Sequence, residues 1–347
     1  MKYLFYLTGL IGLAAAIVLV VHQDWSAIRG AFDHAGWALL WLLPFHAAPL
    51  LLDVLGWRAL LAPSDPERRA DVPFLFWVAT IREACNRLLP VANIGGEIVG
   101  IRLVKWRGVE GTAVAASVVM EVLLTLVSQY LFAALGILLL IGLSQHIGTI
   151  NSVLGALAAS LPLPIGLIVL LRHGRLFTRL EAFAAKLLGG SSRLTELFDG
   201  TRLDHEVRAL YARPLRLATA CFWQLLGFIA GSFESWLALQ LLGYPITVWD
   251  AIAIEAATQA VRHIIFFVPA GLGVQEGGLV LFGSIIGLPA DAAIALSLIK
   301  RAREVGFGVP ALVSWQWAEA RRLRQRWRAR HSEMPHDATD GQSAVKP

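Results

Sequence analysis

The sequence has little charge and almost no cysteine. Only 16% of its 347 residues are charged, against about 25% in an average soluble domain, which excludes an ordinary soluble enzyme. Its two cysteines, Cys85 and Cys221, lie in apolar surroundings and offer neither a disulfide framework nor a zinc-type cluster. No GxxxxGK[ST] phosphate loop, HExxH or GxSxG elbow occurs, so ATP hydrolysis is not expected, nor any metal or cofactor. The formal charge of +5 would suit nucleic acid on a soluble face. Here Lys and Arg lie in short segments between apolar runs, where they orient a membrane protein, and no nucleic-acid partner is expected.

What the sequence does have is apolar length. Hydrophobic residues make up 56% and mean hydropathy is +0.62, and several runs reach the roughly 20 residues that cross a bilayer's hydrocarbon as helix. The expected fold is an all-α polytopic membrane protein. Six full spans are read at Leu4 to Val21, Trp37 to Leu61, Thr112 to Leu143, Val153 to Leu171, Leu215 to Leu242 and Ala290 to Trp315. The first is too long for a signal peptide and reads as an anchor helix. Two further segments, Val72 to Val104 and Ala251 to Leu288, are interrupted by proline and clustered glycine. Neither half is comfortably long enough to cross alone, so both are expected to be broken, re-entrant helical hairpins.

Positive residues orient this arrangement. Lys2, Arg58, Arg68, Arg69, Arg102, Lys105, Arg107, the linker Arg172 to Arg213 and the arginines from Arg321 to Arg330 fall on one side if each hairpin returns to its own side. The connections Ser144 to Ile150 and Gly243 to Asp250 contain no Lys or Arg. This predicts a bacterial inner-membrane protein with both termini cytoplasmic. Residues 1–320 form the membrane domain, and 321–347 a basic, then disordered, tail.

The chain resembles itself. PVANIGGE at Pro90 to Glu97 and PAGLGVQE at Pro269 to Glu276 stand 179 positions apart, and the same offset carries Gly108 onto Gly287 and Trp57 onto Trp236. Two units are predicted, residues 1–143 and 153–315, each with four elements and opposite in orientation. Inverted repeats with interrupted helices in matching places point to a transporter site near the bilayer midplane. The candidate breaks are Pro90, Gly95 and Gly96 in the first unit and Pro269, Gly271, Gly273 and Gly277 in the second. The alternative is that they only kink packed helices.

Ionisable residues inside such segments are costly and face a cavity or a partner. The candidate substrate-binding residues are Arg82, Arg87, Glu97, Glu121, Arg262, Glu276, Lys300, Arg301 and Glu304. Glu97 and Glu276 either bind a substrate cation or proton or cap their own half-helices. The arginines either hold a lipid phosphate or pair with nearby Glu. Glu121 falls on Lys300 at the repeat offset, so the two either meet or face one ligand. His263 reads as structural, and Asp53 and Glu234 as lying near an interface. Gly227 to Gly231 and Gly283 to Gly287 suit close helix contact within the fold. In the linker, Leu176, Phe177, Leu180, Phe183, Leu187 and Leu188 recur at helical spacing among Arg175, Arg179 and Lys186. That pattern predicts a helix on the anionic inner leaflet, broken by Gly189 to Ser192.

Asn86 to Val104 and Phe266 to Pro289 resemble the paired signatures of the flippase-like membrane region of lysylphosphatidylglycerol synthases. The first of them is most similar to the subgroup associated with hopanoid biosynthesis. The resemblance implies a protein that moves or handles lipids, with Pro90, Gly95, Gly96, Glu97, Pro269, Gly271, Gly273, Glu276 and Gly277 at the family's positions. Full synthases carry a soluble aminoacyl-transferase domain after this region, absent here, so lipid handling rather than lysyl transfer is expected. Two functions follow from the residues and the resemblance: a lipid translocator with a head-group cavity, or an intramembrane enzyme or accessory subunit of hopanoid or glycolipid biosynthesis. The expected partners are a membrane lipid substrate, the anionic leaflet and lipid-biosynthesis enzymes.

Overall fold

The computed structural model describes residues 25–88, 95–143, 155, 158, 161–173, 175–188, 199–264 and 273–332. The expected anchor helix Leu4 to Val21, the breaks at Pro90, Pro269 and Gly271, Gly189 to Ser192, the side chain of His263 and the tail beyond Ser332 lie outside the described residues.

Among the described residues the chain is nearly all helix, with no strand. Helix α1 (Trp25–Ala35) passes through a 3-10 turn at Gly36–Trp41 into α2 (Leu42–Leu61). Then come α3 (Val72–Leu88), α4 (Gly95–Val104), α5 (Gly111–Leu143), α6 (Pro162–His173), α7 (Leu176–Leu188) and α8 (Gly200–Tyr211). The last four are α9 (Pro214–Leu241), α10 (Val248–Ile264), α11 (Val274–Ile285) and α12 (Ala290–Ser332). Three described stretches, Phe32–Leu61, Gly111–Ile141 and Pro214–Leu241, are long and apolar enough to cross a membrane. Large apolar side chains such as Leu138, Ile165, Val169 and Val313 are exposed on the outside, a surface that suits acyl chains better than water. Together these features point to a membrane location.

Among the described residues, helix boundaries differ from the hydropathy reading in several places. Within the expected span Val153 to Leu171, helix α6 begins only at Pro162, after a turn at Leu161. The stretch before Gly36, expected as a connection, is helix α1, and Phe32 and Ala35 pack into the core. Helix α12 does not stop at Trp315 but runs 43 residues to Ser332, since Ala, Glu, Leu, Gln and Arg continue it and Glu319 is tied to Arg102 at 2.6 Å. The linker contains a second helix, α8. Asp199 caps it by accepting from the Arg202 amide at 2.8 Å. Asp204 caps α7 in turn, accepting from the Phe177 and Thr178 amides at 3.1 and 2.9 Å. Buried Leu203, Val207 and Leu210 pack with Met120 and Leu123 of α5.

The packing is organised by antiparallel pairs. Along α2 and α9, His46 lies opposite Glu234, Asp53 and Pro49 opposite Gly227, and Gly56 opposite Ala220. A Cβ on Gly227 would come within 2.7 Å of Asp53 Oδ1, so Gly227 makes a close contact inside the fold, whereas a Cβ on Gly231 or Gly287 would meet nothing within 4 Å. Helices α3 and α4 are also antiparallel, with Asn86 beside Gly96 and Arg82 beside Gly100. Arg262 beside Gln275 and Thr258 beside Gly278 show the same for α10 and α11. The long helices cross over: α5 packs on α10 through Gly136 and Ala256, and α12 on α3 through Gly308, Ala84 and Leu88. Helices α4 and α11 begin 179 positions apart, as do α5 and α12.

Candidate functional site

On α2, His46, Pro49, Asp53 and Trp57 follow one another at helical spacing and share a face; on α9, Gly227, Gly231 and Glu234 do the same. Where these faces meet, the helices wall a cavity of about 590 Å³, within the usual range for small-ligand sites. Helix α3 adds Arg82, Glu83, Asn86 and Arg87; α4 adds Glu97; α5 adds Glu121 and Thr125. Helices α10 and α12 complete it with Glu255, Gln259, Arg262, Lys300 and Arg303. Another part of the wall is apolar, formed by Val122, Leu126, Phe132, Leu167 and Phe228. Val122 on that wall is 47% exposed, so the cavity is open there.

Buried charge is tolerable only when paired and hydrogen-bonded, and several of the cavity's charged side chains are held in that way. Arg82 lies between Glu97 and Glu121, with Nη1 2.9 Å from Glu121 Oε2, and its guanidinium sits 4.5 Å above the Trp57 ring. The approach of α4 that brings Glu97 there depends on two glycines. A Cβ at Gly96 would stand 2.4 Å from the Arg82 carbonyl, and one at Gly100 2.6 Å from Arg82 Cδ. Asn86 fixes the turn, accepting from the Gly96 amide at 2.9 Å and donating to Glu97 at 3.3 Å.

Lys300 Nζ reaches Glu255 Oε2 at 2.5 Å, and Ser235 and Gln259 donate to the same carboxylate at 2.8 and 3.1 Å. Arg262 donates to Gln275 at 2.9 Å, and Arg87 lies 3.7 Å from Glu304. A further knot joins four helices: His46 of α2, Glu83 of α3, Glu234 of α9 and Arg303 of α12.

Of the residues expected from sequence, Arg82, Arg87, Glu97, Glu121, Arg262 and Lys300 line the cavity. Glu121 and Lys300 do not meet: each pairs with the hairpin of its own half, and both face the same space. Glu276, Arg301 and Glu304 are not on that wall. Glu276 accepts from the Gly273 amide at 2.8 Å, closing its own helix, and also from Ser297 and Arg301. Arg301 pairs with Glu276 and Glu304, and Glu304 borders a small adjoining void with Arg87 and His46. Among the expected breaks, Gly95 and Gly96 open α4, Gly273 precedes α11 with φ of 76°, and Gly277 lies in its first turn. The interface reading of Asp53 and Glu234 is corrected, since both line the cavity because α2 and α9 pair along their middles. His46 was not singled out. The signal for it was present in the spacing of His46, Asp53 and Trp57 along one helix face. Among the described residues no group of three His, Cys, Asp or Glu could hold a metal ion.

The chain matches the family model described as lysylphosphatidylglycerol synthase TM region over residues 7–312. No curated protein and no solved structure matches it.

Proposed function

Because the chain belongs to the lysylphosphatidylglycerol synthase TM-region family, whose function is membrane- and lipid-related, we propose that it is a lipid translocator of the bacterial inner membrane. A polar or charged head group enters the cavity between the two halves. The observation that carries this reading is one cavity with ionisable side chains on some walls and apolar side chains on another. A lipid makes the same pair of demands. A phosphate would draw on Arg82, Arg87 or Arg262, and an ammonium on Glu97 or Glu121, with exchange of partners rather than exposure of naked charge.

In this reading α3–α4 and α10–α11 are re-entrant hairpins and the halves are inverted repeats. The antiparallel course of each hairpin, the antiparallel pairing of α2 with α9 and the matched element starts support it. Lipid bearing a phosphate head group is the expected cargo, with polar hopanoids as the cargo implied by resemblance.

The test is leaflet exchange in proteoliposomes, with phospholipid and hopanoid probes followed by leaflet-selective labelling. Accelerated movement with unchanged lipid structure is expected. Lipid that stays in its leaflet but is chemically altered would replace the reading with an intramembrane enzyme.

A further inference from the structure

The knot around His46 contains a chemical conflict. Its Nδ1 lies 3.0 Å from Glu234 Oε2 and its Nε2 3.0 Å from Glu83 Oε2. An ionised carboxylate only accepts, and a neutral imidazole carries one N–H. Two ring-to-carboxylate hydrogen bonds therefore need one proton more than neutral histidine and two carboxylates supply. Arg303 Nη1 lies 2.5 Å from Nδ1 and 2.7 Å from Nε2, between the two nitrogens rather than along either lone pair, so it bears on the ring as a neighbouring positive charge that opposes the added proton. Protonation of the ring satisfies both carboxylates, and the neighbouring guanidinium works against it. Edge-on contact with Phe307 at 5.1 Å holds the ring between the two carboxylates.

Every helix packed against His46 presents charge to it. Glu83 comes from α3, with Arg87 and Glu304 beyond it; Glu234 comes from α9; Arg303, which also meets Glu234 through Nε at 3.0 Å, comes from α12; Asp53 lies two turns along α2. With His46 protonated, the four side chains His46, Arg303, Glu83 and Glu234 carry no net charge. Without that proton they carry one negative charge in a largely buried place, where uncompensated charge is costly. A cation entering the adjoining cavity offsets that cost, and a proton does the same.

We propose that His46, Glu83, Glu234 and Arg303 form a proton-binding site that couples movement of a cationic or zwitterionic head group to a proton gradient. The proposal rests on the translocator reading. Loading the head group's ammonium expels the proton from the imidazole to water in the cavity; its departure lets a proton return, while Arg303 stays beside the two carboxylates. The two occupants exchange because they offset the same negative charge.

The experiment uses the full chain in proteoliposomes of phosphatidylglycerol and phosphatidylethanolamine, with tail-labelled phosphatidylethanolamine as the probe, with and without an imposed pH gradient. If one proton exchanges per lipid, a gradient of about one pH unit produces up to about a tenfold leaflet asymmetry at steady state. The asymmetry is expected to vanish on adding a protonophore under voltage clamp, and to be absent in His46→Gln protein that elutes and melts as the parent does. Rapid lipid exchange with equal leaflets under the gradient overturns the coupling and leaves the translocator reading standing. No lipid movement under any condition overturns both. Asymmetry that survives in His46→Gln overturns the assignment to this site. Should that variant fail to fold, proton uptake by the wild-type protein, read with a trapped pH dye as lipid moves, decides the question alone.

Discussion

The two hairpins carry a glutamate at corresponding positions and use it differently. In the first, Glu97 reaches away from its helix to Arg82, which also holds Glu121 of the long helix α5. In the second, Glu276 turns back on the Gly273 amide and is backed by Ser297 and Arg301, away from the cavity wall. The cause lies in the neighbours. Gly96 and Gly100 let α4 close on Arg82, whereas the position equivalent to Arg82 is Val261, and the second hairpin gives the cavity Glu255 and Arg262 instead. Similar backbone frames carry different side chains, leaving the first hairpin's carboxylate facing the cavity and the second's closing a helix.

The sharpest way to break this comparison is to remove the two arginines. Arg82→Gln strands Glu97 and Glu121 and is expected to cost about 3–5 kcal/mol, while Arg301→Gln leaves Glu276 with its amide and hydroxyl donors and costs about 1–2 kcal/mol. Unfolding of each variant in detergent measures the difference, and equal losses would mean that the hairpins are equivalent after all. Next in size are the glycines. Gly96→Ala forces a methyl against the Arg82 carbonyl, an overpacking cost of about 1–3 kcal/mol, whereas Gly277→Ala enters open space and is expected to be neutral or to stabilise by about 0.5–1 kcal/mol. Melting temperatures moving in opposite directions would bear this out.

A functional contrast comes third. Glu97→Gln should slow lipid movement by about tenfold, the loss of one charge-assisted hydrogen bond, and Glu276→Gln should leave the rate alone while lowering stability by about 1 kcal/mol through the weakened cap. Vesicle exchange rates compared with melting curves separate the two effects. The smallest effect concerns the ends of the two long helices. Partial burial pushes the Glu110 carboxyl up, but the Ala113 and Thr112 amides and Arg202 outweigh it and hold it below its usual 4.5. A depressed carboxyl stabilises the fold above the unfolded value and loses that contribution as pH falls from about 4.5 through the folded value. The matching position before α12 is Pro289, which does not titrate. Glu110→Gln should therefore flatten a small part of the acid limb of the melting profile, and an unchanged profile would remove the cap from the account.

The frame of this molecule was legible because hydropathy and glycine placement report local length, and helix length is what a bilayer constrains. The extents of α2, α5 and α9 follow the apolar runs closely. Arg82, Glu97 and Glu121 were legible as charges in expensive surroundings. Asp53 and Glu234 were misread because each stands alone within its own apolar run, and only the lateral pairing of α2 with α9, 174 to 188 positions away in sequence, turns both towards one space. Helix α8 escaped for another reason: its polar face is as hydrophilic as a loop, and what fixes it is the capping exchange with α7.

The length of α12 has a mechanical consequence. Arg303 touches the His46 knot, and the same helix runs on through Pro310 to Ser332, about 33 Å beyond the proline at ~1.5 Å per residue. A tilt of a few degrees at Pro310, whose ring removes a backbone hydrogen bond, would swing the arginine-studded far end sideways by a few ångström. A proton's arrival in the interior would then be amplified into a displacement at the rim, and immobilising that arm would be felt back at the fulcrum.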